Sequence, residues 1–143
     1  MNSTVKFFKQ QEGHIIKNSP SEVGNWLGGK LLEIEEGRMK AEIKVRHEMT
    51  NPAKMLHGGA MALICDEMIG AAVAMLEKPS HFVSVNLNTE FLRPAKQNDT
   101  ITAVSEIIRN GNTVINAECK IFNDKNKLIA KAQSNLVKVN EHK

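Results

Sequence analysis

Tyrosine is absent from this chain, tryptophan occurs once, and all aromatic residues together make up 4% of it. A surface that grips nucleic acid by stacking on bases has almost nothing here to stack with. The net charge of +3, from 19 basic and 16 acidic residues, is spread without a dense basic block, so nucleic acid is not an expected partner. Only two cysteines are present, Cys65 and Cys119, too few for a disulfide framework. The opening residues hold no apolar stretch long enough for a signal peptide, and a reducing cytoplasm is the expected compartment. Both cysteines read as core residues. His14, His47, His81 and His142 show no ligand spacing with one another or with the cysteines, so no metal is expected.

Repeats, low-complexity tracts and linkers are also missing, and 143 residues with 41% hydrophobic content suit one domain with a substantial core. From Lys30 to Val45 apolar Leu32, Ile34, Met39, Ala41, Ile43 and Val45 alternate with Glu33, Glu35, Lys40, Glu42 and Lys44. That two-residue period predicts a hairpin turning at Glu36-Gly37. Four more strands are predicted at His81–Leu92, Asp99–Arg109, Thr113–Asn123 and Lys127–Val139, parted by Arg93-Pro94, Asn110-Gly111-Asn112 and Asp124-Lys125-Asn126. Before Lys30 two short helical pieces are expected, one within Val5–Gln11 and one near Trp26, after the break at Ser19-Pro20-Ser21-Glu22.

Between these strand regions lies Gly58–Leu76, small or apolar at every position except Asp66 and Glu67. Its composition predicts a helix buried around its whole circumference and stopped near Lys78-Pro79-Ser80. The two adjacent acids at mid-length argue against a membrane span. The fold class is therefore α+β, with antiparallel strands curled around one long helix. A single sheet cannot cover a helix on every side, so the face rich in Gly58, Gly59, Ala60, Ala62, Gly70, Ala71, Ala72 and Ala74 is expected to meet another subunit.

An ionised carboxylate among apolar neighbours loses hydration, which raises its pKa and makes it a candidate general base. Periodicity alone does not choose between Asp66 and Glu67. At the start of the helix, Gly58 and Gly59 leave backbone N–H groups without intrahelical acceptors and let a ligand come close, as an oxyanion site requires. Asn51, in the preceding loop, could orient a carbonyl or a water. His57 either takes part or merely caps the helix, and the glycine pair could be only a tight turn. His57 and Asp66 are nine residues apart, about 13 Å along a helix axis. They cannot meet within one chain, so a shared role needs a two-fold dimer.

Asn51, His57-Gly58-Gly59 with Asp66 nine places on, Val83–Asn88, Phe91-Leu92-Arg93-Pro94-Ala95 and Arg109–Thr113 together resemble the hotdog-fold acyl-CoA thioesterases of the phenylacetate-pathway type, similar to small thioesterase superfamily members. The likeness covers about residues 30–139, the expected hotdog core. It implies that Asp66, ahead of Glu67, activates water or attacks the thioester. Gly58 is implied to bind the thioester oxygen with help from Asn51, His57 to lie near the leaving thiolate, and Ser84 to orient water. It further implies that Asn86, Phe91 and the run Arg109, Asn110, Gly111, Asn112, Thr113 and Val114 touch coenzyme A. Asn112 stands where some relatives carry a basic residue. Homodimers, commonly paired into tetramers, are implied as well.

Residues 1–29 match poorly and either shape the acyl pocket or cover the sheet. The reading is an acyl-CoA thioesterase that needs no metal or organic cofactor and no nucleic-acid or membrane partner. The alternatives are a non-catalytic acyl-CoA sensor and a dehydratase or hydratase on the same fold.

Overall fold

A computed structural model describes residues 1–140. Among them seven strands form one antiparallel sheet: β1 (Lys30–Glu35), β2 (Arg38–Lys44), β3 (His81–Ser84), β4 (Asn88–Phe91), β5 (Thr100–Asn110), β6 (Val114–Phe122) and β7 (Leu128–Val139). The spatial order is β1-β2-β5-β6-β7-β3, and β4 also pairs with β7. Alternation fixes which face turns inward. Along β5 Ile101, Ala103 and Ser105 are buried, along β6 Ile115, Ala117, Cys119 and Ile121. Onto this face packs α3 (Gly58–Ala74) with Ile64, Cys65, Met68, Ile69 and Ala72. Alanines at 41, 103, 117 and 132 leave room for the helix. Deep in this contact the Ser105 hydroxyl donates to the Met68 carbonyl at 2.7 Å, which satisfies the one polar side chain that β5 buries.

The N-terminal segment shares the same core through Val5, Phe8, Ile16 and Leu27. Its helices are α1 (Ser3–Lys9), starting a little before the expected turn, and α2 (Glu22–Leu27), capped by the Ser21 side chain. Asn2 caps α1 and also donates to the Met75 carbonyl at 2.7 Å, which fastens α1 to the far end of α3. Arg46 holds the end of α2: its guanidinium donates to the Leu27 carbonyl at 3.0 Å and lies 4.9 Å from the Trp26 ring centroid.

Three expectations need correction. The stretch read as one strand, His81–Leu92, is two. Between Ser84↔Leu136 and Asn88↔Gln133 the chain advances four residues against three on β7, which is a bulge. Asn86 causes it by lending its own groups to the ladder. Its side-chain oxygen accepts from the Asn135 N–H at 2.8 Å, and its carbonyl accepts from the Ser134 hydroxyl at 2.8 Å.

The long helix also stops earlier than predicted, at Ala74 rather than near Pro79. Glu77 adopts a left-handed backbone (φ 45°) while its carboxylate collects the Ser3 hydroxyl, the Thr4 N–H and the Thr4 hydroxyl at 2.7 to 2.8 Å, so the chain leaves the helix before proline is reached. The third correction concerns the face the sheet does not cover. Gly59, Gly70 and Ala74 are exposed as expected, but Ala72 is buried against the sheet, and Asp66 lies exposed on the open stripe rather than among apolar neighbours.

Candidate active site

The loop before α3 is shaped by its own polar groups. Asn51 accepts from the N–H groups of Ala53 and Met55 at 3.0 and 3.1 Å, and the Asn51 N–H donates to the Met55 carbonyl at 2.8 Å. The amide oxygen is therefore committed to the turn. Among the described residues nothing accepts from its nitrogen.

His57 is the N-cap of α3, and its Nδ1 accepts from the Gly59 N–H at 2.8 Å. An accepting Nδ1 puts the proton of the neutral ring on Nε2. The capping reading of His57 thus holds in the fold, and it leaves an Nε2–H free to donate. One consequence falls on the glycines. The Gly59 N–H is used by the cap, while the Gly58 N–H has no acceptor among the described residues. Gly58 is the amide available to an incoming oxygen, at the positive end of the helix dipole. The exposed Phe91 lies beside it, with its ring 3.5 Å from where a β-carbon on Gly58 would stand.

Asp66 lies eight residues farther along α3, about 12 Å by helical rise. Its expected apolar surroundings do not exist within its own chain. The residue is exposed on the open stripe, and among the described residues it makes no hydrogen bond or ion pair. Ser84, on the edge strand β3, is exposed too and makes no hydrogen bond to Asp66. Glu67 is half-buried and turns aside toward the N-terminal segment.

The residues expected to hold coenzyme A fall into separate places. Phe91 is at the start of α3, and Asn86 has its side chain in the bulge. Arg109, Asn110, Gly111, Asn112, Thr113 and Val114 form the β5–β6 turn. This turn sits by the opposite end of α3, because Lys78, just past that helix, donates to the Asn110 side chain at 2.8 Å and to the Gly111 carbonyl at 3.2 Å. Gly111 must lack a side chain, since a β-carbon there would collide with the Val114 carbonyl. In the sequence Lys78 stood only for the end of the helix, because the folded hairpin alone brings it to residue 110. One protomer therefore carries an amide end and a carboxylate that do not meet.

Residues 53–130 match the family description "Thioesterase superfamily". Acyl-coenzyme A thioesterase 13 of Homo sapiens is 31% identical over 84 residues, 59% of this chain and 60% of the relative, so the match spans less than two thirds of that protein's length. The Mus musculus protein of the same name is 31% identical over 104 residues, 72% of this chain and 74% of the relative. Among solved structures, zebrafish thioesterase superfamily member 2 superposes with a TM-score of 0.77 at 25% identity, covering 97% of each chain. A hypothetical thioesterase protein of Streptococcus pneumoniae with coenzyme A superposes with a TM-score of 0.73 at 21% identity, over 80% of this chain and 88% of that one. One curved antiparallel sheet packed on a long helix is the hotdog fold these structures share, and with more than half of its length matched, the chain belongs to the thioesterase superfamily.

Proposed function

We propose that this protein hydrolyses an acyl-CoA thioester to a free acid and coenzyme A, at sites built jointly by two copies of the chain. The observation that carries this reading is the separation on α3 of an unused Gly58 N–H from an exposed Asp66, on a stripe of small residues. If two α3 helices pack antiparallel about a two-fold axis at Ala62, residue 58 of each faces residue 66 of the other. The outer edge of β3, with exposed Val83 and Val85, offers unpaired backbone groups and apolar surface to the same partner. Dimers pairing further into tetramers are part of the proposal.

In that arrangement the Gly58 N–H and the Asn51 amide nitrogen hold the thioester oxygen and stabilise the oxyanion that forms on attack. Asp66 of the other copy removes a proton from water as the oxygen adds to the carbonyl carbon, or adds to it directly to give, once sulfur has left, an anhydride that water hydrolyses to the free acid and the regenerated carboxylate, and Ser84 helps to place the water. The carbon–sulfur bond then breaks, and the thiolate departs near the His57 Nε2–H. Asn86, Phe91 and residues 109–114 take the nucleotide part. No metal or organic cofactor enters the reaction. A cytoplasmic setting is part of the proposal. Cys65 and Cys119 are buried and unbridged, and among the described residues no helix is long and apolar enough to cross a membrane. The N-terminal 29 residues act as an extension of a single domain whose core is 30–139.

The test is thiol release from a panel of acyl-CoA substrates. Asp66→Asn should lower turnover by about two to four orders of magnitude, as loss of a general base does. Co-expressing Asp66→Asn with Asn51→Ala should restore activity, because each mixed dimer regains one intact site. Full turnover by Asp66→Asn would remove Asp66 from the chemistry, and failure of the mixed pair would remove the shared site.

A further inference from the structure

Beside the open stripe of α3, at Gly70, Ala71 and Ala74, lies a cavity of about 510 Å³, closed on its far side by α1 and the Ser19–Ser21 segment. Phe7, Phe8 and Pro20 give it apolar walls, and Ser3, Thr4 and Ser19 add hydroxyls. Its roof is fixed rather than loose. α1 is fastened to the end of α3 through Asn2 on the Met75 carbonyl and through Ser3 and Thr4 on Glu77.

Glu67 stands in this wall and also lines a second, smaller space of about 50 Å³ that leads toward Leu27, Ile43 and Met68. Its carboxylate is at the junction of the two. The chain has made room for it: a β-carbon on Gly24 would lie 2.8 Å from Glu67 Oε1, so any larger residue at 24 would displace the acid. Among the described residues no hydrogen bond or ion pair reaches that carboxylate. Its oxygens are open to solvent, so a ligand that enters the cavity with a donor can take the place of water on this acceptor.

Asp66 and Glu67 are consecutive on one helix, so their side chains diverge by about 100°. A thioester held at residue 66 thus has Glu67 on its flank. In the two-fold packing at Ala62 the other copy's helix begins opposite residue 66, so Gly70 and Ala74 extend past its N-terminus and the cavity mouth borders the reacting carbon. We infer that this cavity receives the acyl group and that Glu67 is a specificity-determining residue, selecting acyl groups that carry a hydrogen-bond donor, a hydroxyl or an ammonium, over plain hydrocarbon acyl groups. This inference rests on the thioesterase reading.

The experiment compares hexanoyl-CoA with 3-hydroxyhexanoyl-, 6-hydroxyhexanoyl- and 6-aminohexanoyl-CoA, using wild type, Glu67→Gln and Glu67→Leu. Wild type should prefer at least one donor-bearing substrate by about 10-fold to 100-fold in kcat/KM, below the full discrimination of an enclosed polar site because Glu67 is only half-buried. Glu67→Gln, isosteric and still an acceptor, should keep a hydroxyl preference and lose an ammonium preference. Glu67→Leu should favour hexanoyl-CoA. Equal kcat/KM values in wild type, or a preference that Glu67→Leu leaves unchanged, would overturn the inference while the thioesterase activity stands. If wild type hydrolyses none of the four, the activity itself is wrong. Calorimetric binding of the same ligands to Asp66→Asn then judges the pocket alone, and equal affinities overturn it.

Discussion

On the side of α3 turned to the sheet, Ile64, Cys65, Ile69 and Ala72 have no exposure, whereas on the opposite side Gly59, Asp66, Gly70 and Ala74 are open to solvent. Both sides read as apolar in the sequence, but they differ in side-chain volume. The sheet-facing side uses branched and sulfur-containing chains that fill space between β5, β6 and the helix. The open side presents little beyond backbone and one acid. A helix that is apolar all round can thus be two interfaces, one filled within the protomer and one shaped for close approach from outside.

Substitutions that treat the two sides differently test this contrast. Truncating the filled side should have the largest effect on folding. Ile69→Ala should destabilise the protein by about 2–5 kcal/mol, read by urea denaturation, because it leaves a cavity where exposure is nil. A loss below about 1 kcal/mol would mean that the contact is looser than its burial implies.

A charge on the open side should leave the protomer's fold intact and act on assembly. Ala62→Arg sets two guanidinium groups against each other at the proposed two-fold axis, so light scattering should report monomers where wild type gives dimers, with the circular dichroism spectrum unchanged. Monomers in wild type would show that the open side is not an interface.

The smallest effect belongs to the clamp at the end of the helix. The Ser3 and Thr4 hydroxyls and the Thr4 N–H hold the Glu77 carboxyl below the ordinary glutamate value of 4.5. Its charged form is therefore favoured in the fold. The resulting stability is present above the ordinary value and is lost as pH falls through the lowered one. Glu77→Gln should lower Tm modestly at neutral pH, and the gap from wild type should close in acid. A gap that stays constant with pH would assign the effect to something other than this charge.

Much of the fold was legible in the residues. The hairpin from Lys30 to Val45, the turns at Asn110-Gly111-Asn112 and Asp124-Lys125-Asn126, and the helix beginning at Gly58 follow from period and turn chemistry. The bulge at Asn86 was not legible, since nothing local says that an asparagine will lend its side chain to a neighbouring strand. Of the candidate site, Gly58 and Asn51 could be found beside a helix start, and the 12 to 13 Å to Asp66 already called for a second chain. What misled was the surroundings of Asp66, because composition reports which residues are apolar and not which of them point at one another.

By itself the sequence determined the α+β class, the hairpin, the long helix and the later strands apart from the split at Asn86, because periodicity, turn propensity and helix termini act over a few residues. Only the tertiary structure decided that Asp66 lies on the open side of α3, that His57 spends its Nδ1 on Gly59, that Lys78 reaches the turn at 110, and that Glu67 faces a cavity under α1. Those outcomes depend on contacts between segments far apart in the chain, set by how whole elements pack.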